Sequence, residues 1–191
     1  MKHFSEAEGC LFFESERFVA VLSLMTCGGS FVSPTGSCVH TPSPTSKQWI
    51  VENIERAIET SQNLKGTEFQ RDASTRNALK EQGFARNDAL WHDIYKAYGY
   101  RNPANARASA WMVSIRVEKR KSTVLRISAL MKKRNGSWEA WENQHTSRHI
   151  FLPLDSSGEK IADATLAMLA VSTLCGRTMS EVAAEKQTGN T

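Results

Sequence analysis

The sequence predicts an α+β fold, in which an antiparallel β-sheet built from hairpins is flanked by several helices within a single domain. Three observations support this prediction. The apolar run at residues 18–24 has the length of a buried strand. Residues 111–117 and 123–131 form the clearest strand-like region, with a basic turn between them. A strand-like segment followed by a capped apolar helix occurs twice, once around Pro42 and again around Pro153.

Turn and capping residues divide the first half of the chain into short elements. Thr45 and Gln48 have the spacing of a capping box, in which two side chains satisfy backbone donors at a helix start. Gly83 is expected to stop one helix, and Gly99 lies in the stop position of the next. The predicted β elements are a hairpin at 11–24 (or one strand entered through a turn) and a strand at 37–41, and between them residues 31–37 form a loop or turn with short extended pieces. The predicted helices span about 46–62, 74–82 after a polar linker at 63–73, and 87 or 88 to 98.

The second half is predicted to be mainly β, with one closing helix. Asn135-Gly136 accepts the positive φ angles of a type I′ turn and therefore indicates a hairpin. A last strand is expected at 148–152, and Ser156 with Glu159 forms a second capping box before a helix at 157–174. We expect residues 1–175 to form one domain and residues 176–191 to be a polar, flexible tail.

Composition excludes several classes of protein. The chain has 191 residues and a net charge of +4, and no apolar run approaches the roughly 18 residues of a membrane span. The polar N-terminus does not resemble a signal peptide, so we expect a cytoplasmic protein. The four cysteines form no CxxC pair and the histidines supply no closely paired ligands, so neither a metal nor a cofactor is expected.

Positive charge and aromatic side chains are concentrated in the second half. The basic residues Arg116, Lys119, Arg120 and Lys121 precede a second cluster at 132–134. They indicate either a solvated turn or a surface for an acidic or nucleic-acid partner. Trp138 and Trp141 have three possible roles: they pack within the sheet, they stack on the bases of a single-stranded nucleic acid, or they are hot spots at a protein interface.

No catalytic signature is convincing. Gly28-Gly29 lacks the lysine of a phosphate-binding loop and the third glycine of a dinucleotide fingerprint. Ser33 or Ser37 with His40 would supply a nucleophile and a base, but closeness in sequence does not establish their geometry. A hydrolase centred on residues 27–40 therefore remains a weaker option.

The chain resembles the immunity proteins of bacterial contact-dependent growth inhibition systems, specifically the CdiI-type α/β family that neutralises a nuclease toxin domain. Four features, which together span most of residues 11–175, carry the resemblance. The first is the strand at 18–24 that leads through Gly28-Gly29 to the helix at 46–61, and the second is a helix, a glycine-aromatic turn at Gly83-Phe84 and another helix around 89–91. The third is the hairpin that ends at 138–141, and the fourth is the segment at 152–161 with its closing helix. The net basic charge and the basic turn at 118–122 depart from the family's pattern.

The resemblance implies a non-enzymatic inhibitor that binds the C-terminal domain of a cognate toxin in the cytoplasm. It also implies one mode of binding, in which a toxin β-hairpin adds to the immunity protein's sheet. The recognition surface is expected within residues 111–151. The predicted partner-binding residues are Arg116, Lys119, Arg120, Lys121, Trp138 and Trp141. The alternative is a nucleic-acid-binding module that uses the basic strands at 116–134, and the oligomeric state stays open.

Overall fold

Strands and helices account for most of the chain that the structure describes. The structure is a computed structural model that describes residues 7–119, 123–132, 138–140 and 148–174. Its strands are β1 (Gly9–Glu14), β2 (Phe18–Thr26), β3 (Ser30–Val32), β4 (Cys38–Pro42), β5 (Gln62–Asn63), β6 (Trp111–Lys119), β7 (Thr123–Lys132), β8 (Trp138–Ala140) and β9 (His149–Pro153). Its helices are α1 (Lys47–Glu59), α2 (Glu68–Arg71), α3 (Ala73–Ala97), α4 (Pro103–Ser109) and α5 (Gly158–Leu174).

All of these strands belong to one sheet. Its order is β3-β2-β1-β6-β7-β8, with β4 also paired to β2 and β9 also paired to β7. Every pairing is antiparallel except the two-residue contact of β5 with β2. The predicted hairpin of β1 with β2 is confirmed, as are the strands on both sides of the basic turn and the last strand. The α+β fold class is therefore confirmed. The predicted turn at Asn135-Gly136 lies outside the described residues, although β7 and β8 on either side of it pair as a hairpin would.

The sheet buries a core on each of its faces, because alternate side chains of each strand point to opposite sides. Phe12 and Ile127 belong to one core, which α1 and α5 cover. Phe13 and Phe18 belong to the other, which α3 and α4 cover with Trp91 and neighbouring residues. The hydroxyl of Ser172 in α5 donates to the carbonyl oxygen of Leu130 at 2.6 Å. The middle of the sheet is thus held between two helical layers.

Both repeated helices begin one residue later than predicted. Ser46 accepts a hydrogen bond from the Trp49 amide at 3.1 Å and is the N-cap of α1. Ser157 accepts one from the Lys160 amide at 3.4 Å at the start of α5. The predicted capping boxes of Thr45 with Gln48 and of Ser156 with Glu159 are therefore wrong. The two strand-then-capped-helix units are nevertheless present, as β4 with α1 and as β9 with α5.

The largest error of the sequence prediction concerns α3, which is one helix of 25 residues. Asp72 caps it by accepting from the Ser74 and Thr75 amides, within the segment predicted as a linker. Gly83 does not stop the helix but lies buried in its middle. The predicted stop at the C-terminal end is confirmed, since Gly99 follows the helix with a φ of 68°. A short helix, α4, then begins at Pro103, with Asn102 as its N-cap.

Candidate functional site

A cavity of about 450 Å³ lies between helix α3 and the strands β3, β6 and β7. One part of its wall is apolar and includes Phe84, whose side chain is 51% exposed. The other part is polar and comes from the two central strands. The lining residues are Leu11, Leu24, Ser30, Phe31, Val32, Phe84, Asn87, Met112, Ser114, Arg116, Arg126, Ser128 and Leu130. Its volume is within the range of ligand-binding clefts, roughly 300–1,000 Å³.

The polar wall has a local symmetry that the strand register creates. Arg116 of β6 is paired directly with Arg126 of β7, and Ser114 is paired directly with Ser128. The Nε of Arg116 donates to the hydroxyl of Ser114 at 3.2 Å, and the Nε of Arg126 donates to that of Ser128 at 3.1 Å. Each serine therefore holds the arginine of its own strand against the sheet. The register thus places both guanidinium groups on the same face of the sheet, where both line the cavity.

Two carboxylates offset the repulsion between these arginines. The Nη1 of Arg116 forms an ion pair with Glu8, and it also donates to the hydroxyl of Ser30 at 2.7 Å. The Nη1 of Arg126 forms an ion pair with Glu118 at 2.8 Å. Like charges placed directly opposite each other on a sheet are destabilising, so the arginine pair depends on these partners.

The cavity wall itself is positively charged. Arg116 and Arg126 both line it, whereas neither of their carboxylate partners is among the described lining residues. No other described residue of the wall carries a charge. The wall thus presents two positive charges beside an apolar surface. Electrostatic interactions are stronger there than in water, because the effective dielectric constant is lower near apolar groups.

Strand β9 extends this polar face toward the edge of the sheet. His149 is paired with Ser128, and its Nδ1 lies 2.9 Å from that hydroxyl. The guanidinium of Arg126 lies 3.2 Å from the Nε2 of the same histidine. Phe151 is paired with Arg126, and its side chain is 43% exposed. An exposed aromatic residue therefore lies at the edge, next to the arginine pair.

The predicted partner-binding residues divide into three groups. Arg116 lines the cavity. Trp138 is half-buried and packs on Phe13 and Trp91, with ring centroids 5.5 Å and 6.5 Å apart. Lys119 is the last residue of β6, and its side chain is outside the described part of the structure. Arg120, Lys121 and Trp141 are also outside the described residues, so their predicted part in binding stays a prediction.

Sequence reasoning missed Arg126 as the partner of Arg116. The motif Ser-Ile-Arg in one strand and Arg-Ile-Ser in the next is visible in the sequence. Its meaning depends on the register, which places the arginines opposite each other only if Ile115 is paired with Ile127. The length of the basic turn between the strands sets that register.

The segment at residues 27–40, which contains β3 and the start of β4, makes hydrogen bonds that stabilise the fold. The hydroxyl of Ser33 accepts from the Gly36 amide at 2.9 Å, and the ring Nδ1 of His40 lies 2.8 Å from the Tyr98 hydroxyl. The amide of Ser37 donates to the Thr60 hydroxyl. Burial lowers the pKa of His40, and the nearby charge of Asp93 opposes this shift. No serine–histidine hydrogen bond links these residues within the described part of the chain.

The described residues contain neither a metal-binding cluster nor a membrane-spanning helix. Among the described residues, no group of three or more histidine, cysteine, aspartate or glutamate side chains is arranged to hold a metal ion. No described helix has the length and apolar character needed to cross a bilayer.

Comparison with known proteins identifies the family. The model of the CDI immunity protein family, CdiI, matches residues 9–172. A chain of the CdiA-CT/CdiI toxin and immunity complex from Yersinia pseudotuberculosis has a similar fold, with 13% identity, a TM-score of 0.67, and coverage of 86% of this chain and 96% of that one. The protein of unknown function NMB0488 from Neisseria meningitidis is also similar, with 16% identity, a TM-score of 0.66, and coverage of 85% and 93%. None of the curated proteins matches. The family match spans every element from β1 to nearly the end of α5, and the chain therefore belongs to the CDI immunity protein family.

Proposed function

We propose that this protein binds the C-terminal domain of a cognate toxin and inactivates it, without catalysing a reaction itself. The observation that carries the proposal is the cavity between α3 and the β6–β7 strands, which combines an exposed phenylalanine with two arginines. Aromatic residues, phenylalanine included, and arginine are enriched at protein interfaces. A cleft of this kind suits a protein segment with both apolar and polar side chains.

The edge strand β9 offers a second means of binding. In the described part of the chain, β9 pairs with β7 and with no strand on its other side. The amides and carbonyls of an edge strand are available to an added strand, which can gain main-chain hydrogen bonds there. A toxin β-hairpin added at this edge would lie beside Phe151 and the polar wall of the cavity.

The toxin is proposed to be a nuclease that acts in the cytoplasm. The support is the resemblance to the nuclease-neutralising type of immunity protein, together with the similar fold of a chain from a toxin and immunity complex. A nuclease that enters a bacterium acts on the nucleic acid of the cytoplasm, so its inhibitor must be present there. Lys119, Arg120, Lys121 and Trp141 remain proposed contacts beside Arg116 and Trp138.

Existing contacts make the alternative of nucleic-acid binding less favourable. Arg116 and Arg126 are each engaged by a carboxylate. Lys132 donates to the carbonyl oxygen of Ala110 at 2.9 Å and lies over the ring of Trp111. Burial also lowers the pKa of Lys132. Nucleic-acid binding depends on several cations exposed along one surface. Here the two arginines line a cavity and Lys132 is held by a backbone carbonyl, so these three cations are not free along one open surface.

Co-expression tests the proposal directly. Cells that produce the toxin domain encoded immediately upstream should survive when this chain is co-expressed, and cells that produce an unrelated toxin domain should not. The purified pair should form a complex with a dissociation constant on the order of nanomolar. Failure to protect against the upstream domain contradicts the proposal. A nanomolar complex with an oligonucleotide at ~0.15 M salt would instead favour the nucleic-acid alternative.

A further inference from the structure

We propose that the Arg116–Arg126 pair binds a carboxylate of the toxin, so that the segment entering the cavity carries an acidic side chain next to an apolar one. This inference deepens the proposed function and rests on it. It identifies the chemistry of the partner at one defined place, the polar wall of the cavity.

Charge complementarity supports an acidic partner. The described wall of the cavity carries two guanidinium groups and no carboxylate, although each arginine has a carboxylate partner outside the wall. An anion that entered the cavity would therefore contact the guanidinium groups, whereas Glu8 and Glu118 contact them from outside the wall. A neutral or cationic side chain would lose its contacts with water without gaining a partner of opposite charge.

Existing hydrogen bonds decide which guanidinium donors an incoming group can use. Hydrogen bonds to Ser114, Ser30 and Glu8 engage the Nε and Nη1 of Arg116, and none to a described residue engages its Nη2. The Nε and Nη1 of Arg126 are engaged in the same way, by a serine and a carboxylate, and its Nη2 lies 3.2 Å from a histidine nitrogen. Both arginines are thus fixed before a partner arrives. The Nη2 of Arg116 is then the donor best placed for an incoming carboxylate oxygen, which would accept a charge-assisted hydrogen bond from it.

The apolar half of the wall calls for an apolar group beside the acidic one. Phe84 is 51% exposed there, next to the buried residues Phe31, Val32, Met112 and Leu130, and a carboxylate alone would leave its ring facing water. In an extended segment, residues two positions apart point to the same side. An aspartate or glutamate two positions from a large apolar residue would therefore fill both halves at once. A β-hairpin strand, as in the proposed mode of binding, has this geometry.

The test is a calorimetric titration of the chain with the upstream-encoded toxin domain. Two charge-neutral double variants remove one arginine together with its own carboxylate partner: Arg116→Gln with Glu8→Gln, and Arg126→Gln with Glu118→Gln. Pairwise removal avoids leaving an unpaired buried charge, which would itself destabilise the fold. Each double variant should bind the toxin domain about thirtyfold more weakly or worse, as expected when a desolvated charge pair is lost.

Two further variants separate recognition from folding. Arg56→Gln removes one positive charge from an exposed position on α1, which covers the opposite face of the sheet, and should leave the affinity nearly unchanged. Arg116→Lys keeps the positive charge beside Glu8 but lacks the Nη2 donor, and should weaken binding by an intermediate factor. Thermal melting of every variant checks that it is folded.

The acidic partner is then located by double-mutant cycles. Each aspartate and glutamate of the toxin domain is changed to its amide, and one of these changes should be strongly non-additive with the Arg116 or Arg126 variants. If both charge-neutral variants bind within about threefold of the wild type, the inference is wrong while the proposed function stands. If the wild-type chain forms no complex, the proposed function fails and this inference fails with it. A single-stranded RNA probe that binds more tightly than the toxin domain, and only through these arginines, would also overturn it.

Discussion

Gly83 in α3 lies so close to Val32 in β3 that no side chain fits between them. A Cβ atom at position 83 would lie 2.4 Å from the carbonyl oxygen of Val32 and 2.7 Å from the ring of Phe31. The glycine therefore allows the helix to approach the strand, and it positions the apolar wall of the cavity. Phe84, the next residue, lines that wall.

Gly83→Ala should destabilise the protein, although alanine is the better helix former. The helix-propensity gain is about 1 kcal/mol. Overpacking against a backbone atom costs about 1–3 kcal/mol, and here the neighbour is a carbonyl that cannot rotate away. Denaturant unfolding should show a lower midpoint. As a control, Ala85→Gly at an exposed position of the same helix should cost about 1 kcal/mol from propensity alone. A Gly83→Ala variant more stable than the wild type would contradict the close approach.

The serine caps give a second prediction. Ser46→Ala removes the hydroxyl that accepts from the Trp49 amide and should cost about 0.5–2 kcal/mol of unfolding free energy. Ser157→Ala should cost less within this range, because its hydrogen bond is longer, at 3.4 Å. Thr45→Ala, one position before the first cap, is the matched control and should have little effect. Equal losses at Thr45 and Ser46 would mean that the cap is not where the structure places it.

These two regions also show what the sequence could and could not predict. The strands were predictable because a buried run such as 18–24 needs no knowledge of its neighbours. Helix α3 was not, because Gly83 is a stop signal in isolation and a packing requirement only when β3 is beside it. Each cap was predicted one residue too early, because two neighbouring residues at each helix start carry a hydroxyl group: Thr45 and Ser46 at the first, and Ser156 and Ser157 at the second. At the site, Arg116 was found from its charge, whereas Arg126 required the strand register.

The lowered pKa of His40 predicts a dependence of stability on pH. Burial favours the neutral ring in the folded state, so the unfolded chain binds a proton more readily. The contribution of His40 to stability is therefore fully present above the usual histidine pKa and is lost as the pH falls below it. Melting temperature should drop between about pH 7.5 and about pH 5.5.

A variant isolates this effect. His40→Gln can still contact the Tyr98 hydroxyl but cannot titrate, so its melting temperature should fall less over the same pH interval. His92→Gln, at an exposed position of α3, is the control and should follow the wild type. An identical fall in the wild type and the His40 variant would show that another group is responsible.

Trp138 and Trp141 should respond to substitution in different ways. Trp138 packs against both Phe13 and Trp91, so Trp138→Ala should cost about 3 kcal/mol of stability through lost packing. Trp138→Phe should recover much of this loss, because the ring contacts are largely retained and no described residue accepts a hydrogen bond from the indole N–H. Denaturant unfolding of both variants measures the difference.

Trp141 is predicted from strand alternation to point to the opposite side, toward a partner. Trp141→Ala should therefore leave the unfolding free energy nearly unchanged and weaken toxin binding by about 2 kcal/mol or more if the ring is a hot spot.

The basic turn is tested by changing both Arg120 and Lys121 to glutamate. This double substitution should slow association with an acidic toxin surface, because charges at the rim of an interface act mainly on the encounter rate. Stopped-flow mixing at low and high salt separates the two effects. If Trp141→Ala and the charge reversal both leave a confirmed toxin complex unaffected, the partner binds through the cavity and β9 alone.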